Sequence, residues 1–280
     1  MPHSINKRIQ QQVGPLLYLP KKAAPLRMTG NRPALDPTDR GQLAFQALLF
    51  ECLASTREQP HALEQPRKGA LASINGYLNC IVHRPDTLEI HTNTAYRIAS
   101  RLLPFHHDDY GLCGIPGLRL VNYKCRRARL IHLPTGARLD LIDSCSWSGM
   151  KIAKEIFEQE TSWHHDNGRS PLWSHPHMTA EETAHRKLWA YTASTPLRSA
   201  LLMRSMPLWY RFDLTPVWTA GHGTRPAQLA WFSQPKTGHD QVVSLLTESE
   251  ACIPGARYSP RTPQRGFLEL NGFSALLLGA

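Results

Sequence analysis

The chain has 280 residues, 41% of them apolar, and a formal net charge of +10 at pH 7. That length and composition suffice for one large domain or two of ordinary size, and they exclude disorder throughout. Six scattered cysteines without a Cys-x-x-Cys pair exclude a disulfide-stapled secreted domain, and no apolar run approaches the roughly 18 residues that span a bilayer, so a soluble, cytoplasmic protein is expected.

The distribution of charge says more than its total. Residues 1–40 carry seven Lys and Arg against two acids, and residues 111–150 carry six against two. These two stretches hold nine of the ten net charges, a concentration that suits a polyanionic partner. Residues 1–38 read as a flexible basic arm, because Pro15, Pro20 and Pro25 break the amphipathic helix that a basic targeting segment needs.

In chain order, Asp36-Pro37-Thr38-Asp39 offers a helix start, and Phe45, Leu48, Leu49 and Cys52 then predict a helix over about 39–55. Gln59 to Lys68 reads as a connection. From Gly69, the stripe Leu71, Ile74, Leu78, Ile81 and Val82 predicts a second helix, ended at Arg84-Pro85. Thr87 to His91 is extended and leads into Thr92-Asn93-Thr94, any of which can cap a third helix through its side-chain oxygen. Ala95, Ile98, Ala99, Leu102 and Leu103 form the apolar face of that helix, and Arg97 and Arg101 lie one turn apart on its other face. Leu118 to Lys124 reads as a strand. Leu130 to Leu133 and Leu139 to Ile142 flank the turn Pro134-Thr135-Gly136-Ala137 and predict a hairpin, with the basic segment Lys124 to Arg129 leading into it.

The second half opens with a predicted helix over about Ser148 to Glu160, followed by a His/Trp/Pro-rich loop. Thr179-Ala180-Glu181-Glu182 fits a capping box for a helix to about Thr192, and Thr195-Pro196 starts another that ends before Pro207. Strand-like runs follow at Leu208 to Leu214, Gln228 to Phe232 and Gln241 to Leu246, then a basic, Pro-rich loop over 253–265. No internal repeat is visible. The expected fold is α+β. Residues 39–146 form a winged-helix-like domain of three helices plus a β-hairpin, and 147–280 form a second mixed α/β domain, itself open to a winged-helix reading.

In that frame the third helix is the recognition element. It presents Asn93, Thr94, Arg97 and Arg101 to base edges and phosphates, while Lys124, Arg126, Arg127, Arg129 and Arg138 sit on or beside the wing. The order of elements, a basic arm, a winged-helix half and a second α/β half, resembles the replication initiators and regulators of plasmids and phages, many of which pair two winged-helix domains. The resemblance rests on element order and carries no residue over. It implies double-stranded DNA as partner, a role in replication initiation or transcriptional regulation on a mobile element, and is compatible with a homodimer.

The competing chemistry lies in histidine. His164-His165-Asp166, His175, His177 and His185 could hold a divalent metal and make a metal-dependent nuclease or phosphohydrolase of region 164–185. Against it, Glu182 is already explained by the capping box, and no His-Glu-x-x-His pattern is present. Apart from that metal, neither a cofactor nor a catalytic residue is expected, and the chain reads as a binder rather than an enzyme. Six of seven tryptophans fall in the second half, and those beside Arg204, Arg211 and Arg225 either stack single-stranded bases or, as is commoner, fill a core. A basic packaging protein without sequence preference is the remaining reading.

Overall fold

The structure is a computed structural model. It describes residues 11, 13–18, 28–29, 32–54, 77–93, 95–107, 111–124, 126–143, 169–208, 215–219, 227–232 and 238–279. The chain divides into two compact units. One comprises Asp39–Phe45 and Arg57–Ala190, the other Met1–Thr38, Gln46–Thr56 and Tyr191–Ala280. The fold is mixed α+β. No helix among the described residues is long and apolar enough to cross a membrane.

Helix α1 (Arg40–Ala54) begins where the turn cluster predicts it, with Asp39 Oδ1 accepting the Gln42 N–H at 2.8 Å. Its second residue must be glycine, since a Cβ on Gly41 would fall 2.2 Å from the Thr135 carbonyl oxygen. In the first unit, β3 (Leu78–Arg84) and β4 (Thr87–Thr92) form a hairpin, followed by α2 (Ala95–Leu102) and the short strands β5 (Phe105–His107) and β6 (Gly111–Cys113). A meander of β7 (Leu118–Lys124), β8 (Arg127–His132) and β9 (Ala137–Asp143) comes next. The five-stranded sheet has the order β3-β4-β9-β8-β7, with β4 parallel to β9 and every other pair antiparallel. Strand β10 (Arg169–Pro171) joins β5 and β6 in a separate three-stranded sheet, and the short helix α3 (Ala180–Ala184) follows it.

Period-two alternation sorts the β8 and β9 side chains onto two faces. Ala128, Leu130, His132, Leu139 and Leu141 are buried on the inner face, and α2 packs on β8 and β9 from that side through Ala95, Ile98, Ala99 and Leu102. Each fully buried Leu or Ile contributes roughly 1.5–3 kcal/mol, so this layer holds the unit together. Arg127, Arg129, Ile131, Arg138, Asp140 and Ile142 alternate onto the outer face.

The second helix expected over Gly69 to Val82 is corrected in its described part. Leu78 to Val82 belongs to strand β3, and residues 69–76 lie outside the described residues. Cys80, Ile81 and Val82 are all at most 1% exposed, so both sides of this strand are covered. A strand buried on both faces shows a continuous apolar run, which short helical spacing imitates. The described residues therefore run helix, hairpin, helix and meander, and not the expected three helices plus hairpin.

His132 sits in the inner layer with its ring centroid 5.2 Å from that of Phe45 and 5.7 Å from that of Trp189. Its Nε2–H donates to the Pro116 carbonyl at 3.1 Å, and its Nδ1 accepts from the Thr135 hydroxyl at 2.8 Å, so the neutral ring is fully bonded. Burial pushes its pKa down from 6.5 to about 4, with the Pro116 bond opposing and the Arg119 charge assisting. Because the unfolded chain takes up this proton first, the stabilisation is present above pH 6.5 and is lost as pH falls from there to about 4, on the order of 3 kcal/mol in all. Urea midpoints measured across that window should fall on acidification in the native protein and change much less in His132→Gln.

In the second unit, β1 (Met28–Thr29) and β2 (Arg32–Pro33) make a short antiparallel ladder, and Val13, Leu17, Leu35 and Ala251 form a small apolar cluster. Helix α4 (Thr195–Met203) carries proline in its first turn, as predicted. It is followed by β11 (Thr215–Thr219), β12 (Ala227–Phe232), α5 (His239–Thr247), β13 (Arg257–Thr262), β14 (Arg265–Leu270) and β15 (Phe273–Gly279). Two expectations are corrected here. Gln241 to Leu246 is helical, its Val242, Leu245 and Leu246 being buried at helical spacing, and the supposed loop 253–265 contains strand β13. The predicted helix over 148–160 and residues 209–214 of the predicted strand at 208–214 lie outside the described residues.

The sheet of this unit has the order β11-β12-β15-β14-β13, with β12 parallel to β15. Strand for strand this repeats the first unit: an edge hairpin, a helix, then a meander whose last strand inserts beside the hairpin. The recurrence is one of topology, since the sequence shows no repeat.

Arg204, which the sequence places beside tryptophans that could stack on bases, is fully buried. Its guanidinium grips the Asp36 carboxylate at both oxygens, the Nη2 to Oδ2 distance being 2.9 Å. Its remaining N–H groups donate to the carbonyls of Ala251, Ala200 and Cys252.

Candidate nucleic-acid interface

The basic segment Lys124 to Arg129 is itself a hairpin. Lys124 pairs with Arg127 across the β7–β8 turn, so the cations flank its tip and do not merely lead into the β8–β9 hairpin. Arg126 takes a φ of 64° in this turn, a left-handed conformation that tight hairpins demand and non-glycine residues rarely adopt. Its carbonyl accepts the Asp143 N–H at 2.8 Å, which ties the tip to the end of β9.

The outer face of the sheet places the ribbon arginines against two carboxylates that sequence reasoning did not single out. Glu89 and Asp140 are register neighbours on the parallel strands β4 and β9. Arg127 reaches both, with Nη1 3.1 Å from Asp140 Oδ2 and Nη2 3.8 Å from Glu89 Oε1. Arg129 Nε stands 3.8 Å from Asp140 Oδ1, and Arg84 Nε donates to Glu89 Oε2 at 2.9 Å. Glu89 is held down at about 2, first by His91, whose Nε2 stands 3.8 Å away, then by Arg84 against the opposing effect of burial. Asp140 is pushed up, because its desolvation and the Glu89 charge outweigh Arg127 and Arg129. Part of the ribbon charge is thus neutralised within the sheet. Arg129 nevertheless leaves 54% of its side chain exposed, and among the described residues the exposed Arg138 has no ion-pair partner.

The recognition-helix candidates are placed differently. Asn93 is exposed and its Oδ1 accepts from Asn79 Nδ2 at 2.8 Å. Thr94 lies outside the described residues. Arg97 and Arg101 lie on α2 and Lys124 at the end of β7, and their side chains are likewise outside the description. Helix α2 packs on the inner side of the sheet, so it and the ribbon arginines are separated by the sheet.

For the competing metal site, His164, His165 and Asp166 lie outside the described residues. Among the described residues no three His, Cys, Asp or Glu side chains come together to hold a metal. His175 and His177 are exposed, and what the fold uses is their backbone. Arg119 donates from Nε to the His175 carbonyl and from Nη2 to that of His177, while gripping Glu182 with two bonds of 2.8 Å. Glu182 also accepts the N–H groups of Gly117 and Thr179, completing the predicted capping box of α3. That helix stops after five residues and passes into a 3-10 turn, Arg186–Trp189, short of the predicted end near Thr192. Burial alone would raise the Glu182 pKa, but the Arg119 hydrogen bond and the two N–H groups bring it below the ordinary value.

Of the tryptophans weighed as stacking platforms, Trp163 and Trp209, with Arg211 and Arg225, lie outside the described residues, as do the side chains of Trp218 and Trp231. No family model, no curated protein and no solved structure matches this chain.

Proposed function

We propose that this chain is a nucleic-acid-binding protein, with double-stranded DNA as its first partner, and that the outer face of the β7–β8–β9 ribbon meets the phosphates. The observation that carries this is the exposure of Arg129 and Arg138 on one face of a ribbon whose tip is flanked by Lys124, Arg126 and Arg127. Guanidinium groups on an exposed sheet face present planar forks of donors that pair bidentately with phosphate oxygens. Two halves of like topology and the charge of residues 1–40 support the further proposal of a replication initiator or regulator of a plasmid or phage. The winged-helix part of the reading is carried only by α2, and the ribbon takes its place as the binding element.

Asp140 gives the sharpest test. Removing one phosphate-binding cation should reduce the slope of log Kobs against log salt by about 0.9 on duplex DNA. Arg129→Ala and Arg138→Ala are each expected to do so, while Asp140→Asn releases Arg127 and Arg129 and should tighten binding several-fold. Arg97→Ala combined with Arg101→Ala is expected to stay within about twofold of the native protein at the ribbon's site. Absence of duplex binding in gel shifts, or weaker binding by Asp140→Asn with its fold intact, would reject the ribbon.

A further inference from the structure

The topological recurrence makes β13 and β14 the counterparts of β7 and β8, and their outer face has a different chemistry. Register places Arg257 opposite Glu269 and Ser259 opposite Phe267, and the Arg265 and Phe267 positions alternate onto the same side. A bulge between Pro260 and Thr262 re-aims Arg261, whose Cζ lies 5.4 Å from the centroid of the Phe267 ring. On β15, Leu276 and Leu278 stand opposite Phe267 and Arg265 and are half-buried. The face thus joins a partly exposed aromatic ring and two aliphatic neighbours to three exposed arginines, with Glu269 as the one opposing carboxylate among these positions.

This platform is held rigid from behind. The Tyr258 ring crosses Gly266 so closely that a Cβ there would fall 2.3 Å from the tyrosine hydroxyl, and that hydroxyl is 2.6 Å from His239 Nε2 on α5.

From this we infer that the β13–β14–β15 face binds a single-stranded segment of nucleic acid, one base stacking against the Phe267 ring and the Arg261 guanidinium that lies over it, while Arg257 and Arg265 meet the flanking phosphates. The occupant is set by chemistry. A ring can stack on a duplex base only after a base step is unstacked, at a cost of about a few kcal/mol, whereas an unpaired base has a free π-face, and base–aromatic stacking tolerates any sequence. The excess of arginine disfavours a basic partner and matches a phosphate backbone. The inference deepens the proposed function and rests on it, but it assigns a separate surface and a separate form of the ligand.

Its test uses the full chain with two probes, an oligothymidylate and a mixed-sequence duplex, titrated over a salt series. Phe267→Ala is expected to weaken oligothymidylate binding about tenfold, with Phe267→Tyr restoring it and duplex affinity unchanged in both. Arg257→Ala combined with Arg265→Ala, plus Arg261→Ala to remove the cation over the ring, should lower the single-strand salt slope by about 1.4, the share of the two phosphate contacts. Unchanged thermal unfolding midpoints identify these losses as binding effects, and the tyrosine variant, which keeps the ring, decides the matter if the alanine variant is unstable. Oligothymidylate affinity that is the same in all three variants overturns the inference and leaves the ribbon reading standing so long as the duplex binds. A native protein that binds neither probe overturns both.

Discussion

Asp36→Ala is expected to lower the stability of the unit that contains it by about 3–5 kcal/mol, because it leaves the Arg204 guanidinium buried and half unpaired. Arg204 is the largest of the fully buried side chains among the described residues. All five of its N–H groups are used, two on Asp36 and three on the carbonyls of Ala200, Ala251 and Cys252. It therefore fastens the end of α4, the segment before α1 and the loop after α5 to one planar group. Lysine cannot substitute, since it has three donors and no fork. A double variant, Asp36→Leu with Arg204→Met, removes both charges and is expected to recover most of the loss, as apolar replacements of buried ion pairs commonly do. The measurement is the midpoint of urea unfolding. A small effect of Asp36→Ala together with an equal effect of the double variant would show that the pair holds nothing.

Glu182→Ala is expected to be comparably damaging in the other unit, again about 3–5 kcal/mol, since it strands Arg119 and two backbone N–H groups at once. The geometry repeats that of Arg204. Arg119 grips one carboxylate with two bonds and spends its other three donors on the carbonyls of Leu118, His175 and His177. Because the Glu182 pKa is lowered on folding, this stabilisation is present above pH 4.5 and disappears as pH falls through the folded value, adding an acid limb below that of His132. Glu182→Gln should retain the capping box and part of the Arg119 interaction, and so fall between the native protein and the alanine variant. Native-state hydrogen exchange should show the 175–182 segment opening first in both variants.

Both expectations concern residues whose sequence context suggested something else. Arg204 stood beside tryptophans that could stack on bases. Glu182 belonged to the histidine-rich region weighed as a metal site, where its capping-box reading accounted for the Thr179 N–H and was silent about Gly117 and Arg119. A buried arginine is announced by nothing local. Its burial is decided by whether the fold supplies a carboxylate and three carbonyls at one point in space, from segments as distant as 36, 200 and 251.

The same reasoning applies to the candidate interface. The ribbon charge was legible, because Lys124 to Arg129 is contiguous. Its partial neutralisation was not, because Glu89 meets Asp140 only through the parallel pairing of β4 with β9. Nor was the second basic hairpin legible as a surface. Arg257, Arg261 and Arg265 read as loop residues until strand pairing puts them on the side of Phe267.

What the sequence determined by itself lies among features governed by interactions within a few residues. That covers the span of α1, the apolar face of α2, the turn between β8 and β9, the capping box at Thr179 and the proline start of α4. Hydrophobic period, capping side chains and glycine or proline turns are local physics, and each left a readable mark. Only the tertiary structure decided that Leu78 to Val82 is a strand, since a run buried on both sides has no period of its own. Only the tertiary structure decided, too, that Arg126 turns the chain without a glycine, that two carboxylates face the ribbon, and that one strand order occurs twice in a chain without a sequence repeat. Those features depend on which strands lie side by side, and strand pairing joins residues whose separation along the chain carries no signal.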